Sequence, residues 1–255
     1  MENDVVLYEK QGPIGLITIN RPEMRNALNM AVFKGLDSVL DRVATDEVVK
    51  VLIVTGAGNA FAAGADINEL LSFDSQKGWR ASRFQQSVFN KLERIGKPSV
   101  AAINGFAMGG GLELALSCTF RIASTKAKLG FPEVGLGIIP AFGGTERSVR
   151  AVGYAKASEL ILFRSIIDGE EALKLGLVNL TVEPDQVLSK ATEWAENLAF
   201  LSPVAVRLEL ELLLEAEKST IDQGLALESA LGALAVASAE AKELLGSFVA
   251  KGKGK

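Results

Sequence analysis

SVAAINGFAMGGGLELALSC, residues 99–118, is the most apolar run of the chain. Its length invites a membrane helix. Asn104, Glu113 and the internal glycines argue against that, because a charged side chain at the bilayer centre costs about 3 kcal/mol. The run reads instead as a buried, turn-rich core segment. Lys97-Pro98 opens a strand over Val100–Ile103, and Gly109-Gly110-Gly111 leads into LELALSC, which has helix-forming composition. A strand entering a helix through three glycines is the joint of an α/β fold.

The surrounding pattern agrees. Val5–Glu9 and Ile14–Asn20 are short β-branched runs separated by Gly12-Pro13, a hairpin signal. Asn29 precedes Met30–Ala44, where Val32, Phe33, Leu36, Val39, Leu40 and Val43 recur at helical spacing. Val51–Thr55 is a continuous apolar strand of the kind covered on both faces. Residues 72–86 are polar and predict helical pieces with a mobile lead-in. Phe120–Ala123 predicts a further strand. Residues 130–144, with their glycines and prolines, predict a long ordered loop, with Thr145 capping the next helix. Helical patterns follow over 153–162 and 169–175. Strand signals stop near Val182. Val204–Ala216 and Ile221–Ser238 then predict helices only, so an α/β core with a helical C-terminal region is expected. The division is placed at 1–195 and 196–255. The tail KGKGK is expected to fray, and no fixed-period repeat is visible.

Composition narrows the chemistry. The chain has 255 residues, with 27 Lys and Arg against 31 Asp and Glu and a formal net charge of −4, which disfavours a nucleic-acid binder. Cys118 is the single cysteine, so no intrachain disulfide can form, and a reducing compartment is compatible. The acidic, mixed N-terminus MENDVVLYEK does not read as a signal peptide, so a cytoplasmic protein without a membrane partner is expected. There is no histidine. Ser-His-Asp and Cys-His catalysis are thereby excluded, and acid–base work near neutral pH falls to carboxylates, Lys, Tyr or the thiol.

Three motifs carry candidate chemistry. In AFAAGADINEL, Ala63-Gly64-Ala65-Asp66 surrounds a glycine with small side chains, so a ligand can approach the backbone. Alone it reads as a turn with Asp66 capping a helix. The nearby Gly56-Ala57-Gly58 lacks the third glycine of a dinucleotide fingerprint, since Phe61 stands there. In NGFAMGGGLELA, free N–H groups at a helix start favour an incoming oxygen, and Glu113 stands in the first turn among Leu112, Leu114, Ala115 and Leu116. An acid in such a run needs a partner or a raised pKa, which favours a functional reading. In LGFPEVGLGIIPAFGGTER, Glu133 is flanked by Phe131, Pro132, Val134 and Leu136. It either has a raised pKa or pairs with Arg147 or Lys128 at the surface, and the motif alone does not choose. Two glycine turns with free donors and two acids in apolar settings suit reactions through an enolate of a carbonyl or thioester.

Taken in order, ITINRPEMRNALN, VLIVTGAGNAFAAGADINEL, KPSVAAINGFAMGGGLELALSC, RIASTKAKLGFPEVGLGIIPAFGGTER and GLVNLTVEP resemble the enoyl-CoA hydratase/isomerase (crotonase) family, in particular its bacterial crotonase-type hydratases. The resemblance spans nearly the whole chain and is weakest after Ile221. It implies a spiral of repeated ββα units with C-terminal helices that assemble a trimer or a dimer of trimers. It implies that the N–H groups of Ala65 and Gly110 form an oxyanion hole. It also implies that Glu113 activates a water and Glu133 exchanges the proton at the alpha carbon of a 2-enoyl-CoA. Ala63, Gly64, Asp66, Ile67, Gly109, Phe131, Pro132 and Gly135 become candidate substrate contacts, with the backbone at Ala63 meeting the CoA adenine. An acyl-CoA thioester is then the substrate, and no cofactor or metal is called for.

The chain departs from the family pattern at Leu112, Phe131, Ile139, Ala141 and Glu146. Leu112 and Phe131 are expected to narrow the acyl pocket toward short chains. An isomerase of the same family, which works with one acid, and a hydratase for cyclic acyl-CoA esters are the nearest rivals. A non-catalytic CoA-ester or RNA-binding member is disfavoured by the net charge and by both acids being present.

Overall fold

The computed structural model describes residues 5–252. Its first strands, β1 (Val6–Gln11) and β2 (Ile14–Ile19), form the expected antiparallel hairpin, with Gly12 at φ +60° in the turn. Helix α1 (Met30–Thr45) starts at Asn29, whose side chain accepts a hydrogen bond from the Val32 N–H, and its buried residues are the six apolar positions of the periodic stripe.

The chain then winds three times. β3 (Val51–Gly56) and β4 (Ala60–Ala62) lead through a short α2 (Ile67–Leu70) into α3 (Ser75–Glu93). β5 (Ser99–Ile103) and β6 (Phe106–Met108) lead into α4 (Gly110–Leu116). β7 (Phe120–Ser124) and β8 (Lys128–Gly130) lead to α5 (Gly144–Leu162). Each turn gives one strand to each of two sheets. With β9 (Ile167–Asp168), α6 (Gly169–Lys174) and β10 (Leu180–Val182), the sheets are ordered β1-β2-β3-β5-β7-β10 and β4-β6-β8-β9. Every pairing from β2 to β10 in the larger sheet is parallel. The repeat is thus one of structure, without a matching period in the residues.

The larger sheet is apolar on both faces, which is why its strands read as continuous runs. Alternation sorts them. Ile17, Leu52, Val54, Ala101 and Ile103 pack toward α1, α3 and α4, while Leu16, Val51, Ile53, Val100 and Ala102 pack on α7 (Val187–Ala199). The division at 195/196 therefore falls inside a helix whose Val187, Ala191, Ala195 and Ala199 are all buried on the sheet.

Some elements differ from expectation. Residues 72–86 do not break into pieces: Asp74 caps one continuous helix through Glu93, its carboxylate accepting from the Lys77 N–H. The segment 130–144 is not wholly loop, since it opens in β8 and holds a single 3-10 turn at Glu133–Leu136. Thr145 does not cap α5. The helix starts from Gly143 at φ +110°, and it breaks at Gly153.

The last helices are α8 (Pro203–Ala216), α9 (Ile221–Ala237) and α10 (Ala239–Gly252). Leu208 is the one buried residue of α8, and α9 buries none. Of the KGKGK tail, residues 253–255 lie outside the described residues. No single helix among the described residues is long and apolar enough to cross a membrane; the run 99–118 is β5, β6 and α4.

Candidate active site

The loop after β4 is held from the N-terminal side. Asn26, fully buried, donates from its amide nitrogen to the carbonyls of Ala57 (2.9 Å) and Ala60 (2.6 Å), which fixes the β3–β4 turn. Leu28 and Ala65 form a parallel bridge: the Leu28 N–H donates to the Gly64 carbonyl (2.8 Å) and the Asp66 N–H to the Leu28 carbonyl (3.0 Å). In a parallel bridge the flanking residues make the hydrogen bonds, so the N–H of Ala65 itself faces away from Leu28. No backbone carbonyl of a described residue accepts it. Asp66 caps α2, accepting from the Asn68 N–H, and pairs with Arg21 at 3.0 Å.

Gly110 is the first residue of α4, where an N–H has no intrahelical acceptor. Its position beside Ala65 is close: a Cβ on Gly110 would fall 3.5 Å from the Ala65 nitrogen. Gly109 stands at φ +49°, ψ −120°, a conformation that L side chains rarely adopt. Gly111 packs against the carbonyl of Ala62, so each glycine of the triplet has its own steric reason.

Both acids are buried, Glu113 to 1% and Glu133 to 7% exposure. One oxygen of Glu113, Oε1, accepts from the N–H of Phe142 (2.8 Å) and the N–H of Gly144 (2.7 Å). The carboxylate thus satisfies the start of α5, a task expected of Thr145. Burial nevertheless dominates and pushes the Glu113 carboxyl up to about 8; the two N–H donors and Arg147 pull it down, and the neighbouring Glu133 pushes it further up. Burial likewise raises Glu133 to about 7. Glu133 makes no ion pair among the described residues, and its Oε2 is buried without a hydrogen-bond partner. Arg147, a candidate partner for it, is engaged elsewhere: it makes a bidentate pair with Glu93 (2.8 and 3.0 Å), donates to Asn90 (2.7 Å) and reaches the Phe142 carbonyl (3.3 Å).

Ala65, Gly110, Glu113 and Glu133 line one cavity of about 370 Å³. The other sequence-level candidates do not line it. Ala63 and Gly64 lie in the strand-to-bridge turn, Asp66 is bound to Arg21, Ile67 is exposed, and Gly109 lies behind the Glu133 carboxylate. Pro132 precedes the 3-10 turn, and exposed Gly135 packs on Arg164. Phe131 and Leu112, expected to narrow the pocket, are fully buried in the core. The cavity is narrowed instead by Leu70, Phe73, Ile138, Ile139 and Phe142. Of these the sequence marked only Ile139, as a departure from the family pattern and not as a pocket wall, although adjacent Ile138 and Ile139 in a glycine-rich loop were a signal. Gln85 was also passed over.

Cys118 takes no visible part. It is buried and its thiol is pushed up to about 12 by burial. Among the described residues, no cluster of three or more acidic or Cys side chains is arranged to hold a metal.

A family model for enoyl-CoA hydratase/isomerase matches residues 9–255. A short-chain-enoyl-CoA hydratase of Clostridium acetobutylicum is 42% identical over 99% of this chain and 97% of its own length. A crotonyl-CoA hydratase of Syntrophomonas wolfei is 37% identical over 99% of this chain and 98% of its own. The crystal structure of an enoyl-CoA hydratase from Bacillus anthracis superposes with a TM-score of 0.93 at 34% identity, covering 97% of this chain and 96% of that one. With two buried acids and two untaken backbone donors around one cavity, and with likeness along its whole length, the chain belongs to the enoyl-CoA hydratase/isomerase family.

Proposed function

We propose that the protein is an enoyl-CoA hydratase, a hydro-lyase that adds water reversibly across the 2,3 double bond of a short-chain 2-enoyl-CoA. The observation that carries this reading is the pair Glu113 and Glu133, both buried, both raised in pKa, both on the cavity that Ala65 and Gly110 also line. A double-bond isomerase needs one acid; a second one with a free buried oxygen favours addition of water.

In hydration, Glu113 as carboxylate takes a proton from water while the hydroxyl adds at C3. The electron pair moves through C2 to the thioester oxygen, where the N–H groups of Ala65 and Gly110 hold the developing charge. The enolate then takes a proton at C2 from Glu133. One such N–H donor is worth about 3–4 kcal/mol in the transition state. Dehydration is the reverse, with Glu133 as base and Glu113 as acid. Burial raises both carboxyl groups toward neutral pH, so one proton shared by the pair can serve either direction of the reaction.

The clamp on Glu113 supports the role assigned to it. Two N–H donors hold Oε1 and leave Oε2 for water, so the base is aimed before substrate arrives. The exposed apolar faces of α8, α9 and α10 support a homo-oligomer, a trimer or a dimer of trimers, built through the region after 199. The single buried cysteine is compatible with a cytoplasmic location.

Loss of the enoyl-thioester absorbance of crotonyl-CoA tests the reading. The wild-type protein hydrates it, and Glu113→Gln and Glu133→Gln each lower turnover by about 100- to 10,000-fold with the fold intact. Near-full turnover in either variant overturns the assigned roles.

A further inference from the structure

Helix α3 buries a stripe of Ala81, Gln85, Val88, Phe89 and Leu92. Four of these are apolar, as a core-facing stripe requires. The fifth is a primary amide at 2% exposure. Its neighbour Gln86 is engaged, donating to the Ala141 carbonyl at 2.9 Å. The side chain of Gln85 makes no hydrogen bond to any described residue. An amide offers two donors and an acceptor; neither polar atom of Gln85 is fully enclosed without a partner, so they open onto the adjoining space and would carry a penalty if it were filled by hydrocarbon. Leu or Met would fill the same position without that penalty. A buried polar group without a protein partner is met by what occupies the space before it.

That space is the cavity of Glu113 and Glu133. Gly78, Ser82 and Gln85 recur at i, i+4 and i+7 on α3, so they share a face, and all three line the cavity. Ser82 also has no hydrogen-bond partner among the described residues. A Cβ at Gly78 would meet nothing within 4 Å, so this wall is set back. Apart from the two acids and the glycine turn, the rest of the lining is hydrocarbon, contributed mainly by Leu70, Phe73, Ile138, Ile139 and Phe142. The α3 face thus brings polar groups and open space to a cavity whose other side-chain lining is mostly apolar.

Building on the hydratase reading, we infer that Gln85 is a specificity-determining residue that hydrogen-bonds an uncharged oxygen, hydroxyl or keto, on the acyl chain of the 2-enoyl-CoA substrate. The oxygen is uncharged because no Lys or Arg lines the cavity and two carboxyl groups already do. A carboxylate there would be buried without a counter-charge and repelled by the ionised acid of the pair. A purely hydrocarbon chain would displace water from Gln85 and leave the amide unmet.

The test compares kcat/KM for trans-2-hexenoyl-CoA, its 6-hydroxy and 5-oxo analogues, and the corresponding terminal carboxylate. The wild-type protein, Gln85→Leu and Gln85→Met are each measured, with melting temperature as a second readout. The wild type should favour a hydroxy or oxo ester over the plain chain by about tenfold or more. Both variants should lose that preference, through a raised KM for the oxygenated ester and a lowered KM for the plain one. Neither variant should melt below the wild type, because no protein hydrogen bond is removed. A wild-type preference for the plain chain or the carboxylate overturns the inference. So does an equal fall in kcat on every ester, which would place Gln85 in the chemistry or the fold. If the wild type hydrates none of these esters nor crotonyl-CoA, the hydratase reading itself fails, an outcome distinct from hydration without oxygen preference.

Discussion

The carboxyl group of Glu133 lies against the Cα of Gly109: a Cβ built on that glycine would strike Oε1 and stand 3.1 Å from the carboxyl carbon. Residue 109 is therefore a glycine for two independent reasons, its backbone at φ +49° and its contact with an acid of the site. Gly109→Ala should strain the backbone by about 1–3 kcal/mol and push Glu133 off position. The expected result is a lower melting temperature together with a loss of turnover approaching that of Glu133→Gln. Turnover within a few-fold of wild type would show that Glu133 does not depend on this contact.

The raised acids make stability fall with pH. Each folded carboxyl holds its proton to a higher pH than a free glutamic acid, at 4.5, so above that value the native state binds more protons than the unfolded one. Stability contributed by these groups declines as pH rises from there, levelling off near 7 for Glu133 and 8 for Glu113. Glu113→Gln and Glu133→Gln remove the ionisation. Their melting temperatures relative to wild type should improve as pH rises from 5, up to about 7 for Glu133→Gln and about 8 for Glu113→Gln in a thermal-shift series, and a flat difference would contradict the burial of charge.

A pH–rate profile reads the same pair in the working enzyme. Hydration needs one acid protonated and the other ionised, so kcat/KM should be bell-shaped with limbs near the two raised values, about 7 and about 8. Removal of either acid should abolish one limb in the residual activity. A profile still rising above pH 9 would exclude the shared-proton arrangement.

Arg147 links α3 to the loop that clamps Glu113. Its pair with Glu93 is nearly buried, with side-chain exposures of 7% and 18%, and it also reaches the Phe142 carbonyl, on the residue whose N–H holds Glu113. Arg147→Gln leaves Glu93 without its partner and should cost about 3–5 kcal/mol in denaturant unfolding. Arg147→Lys should recover part of the stability but less of the activity, since one ammonium cannot reproduce the bidentate fork.

The C-terminal helices predict an assembly. Leu225 and Leu234 on α9 and Leu245 and Phe248 on α10 are between 52% and 77% exposed. Leu234→Lys combined with Phe248→Glu should shift the protein to a smaller species in analytical ultracentrifugation, with helix content preserved by circular dichroism. A wild-type protein that sediments as a monomer would remove the basis for this prediction.

Much was legible in the residues. Hydrophobic runs of strand length placed β3 and β5, Asn29 and the helical stripe placed α1, and the apolar settings of Glu113 and Glu133 together with the family resemblance named four residues that line one cavity. These signals are local: periodicity, capping and turn chemistry act over a few residues, so a linear reading recovers them. What tertiary structure alone decided is where distant groups meet. The N–H groups that fix Glu113 come from residues 142 and 144, the arginine that holds Asp66 comes from position 21, and the amide facing the cavity comes from α3. Phe131 and Leu112 were expected to narrow the pocket because they depart from the family pattern beside the acids, yet the turn of the chain buries them in the core. Side chains next to each other along a strand or helix point in different directions, so closeness in sequence does not give closeness in the site, and only the packed spiral sets which walls the cavity has.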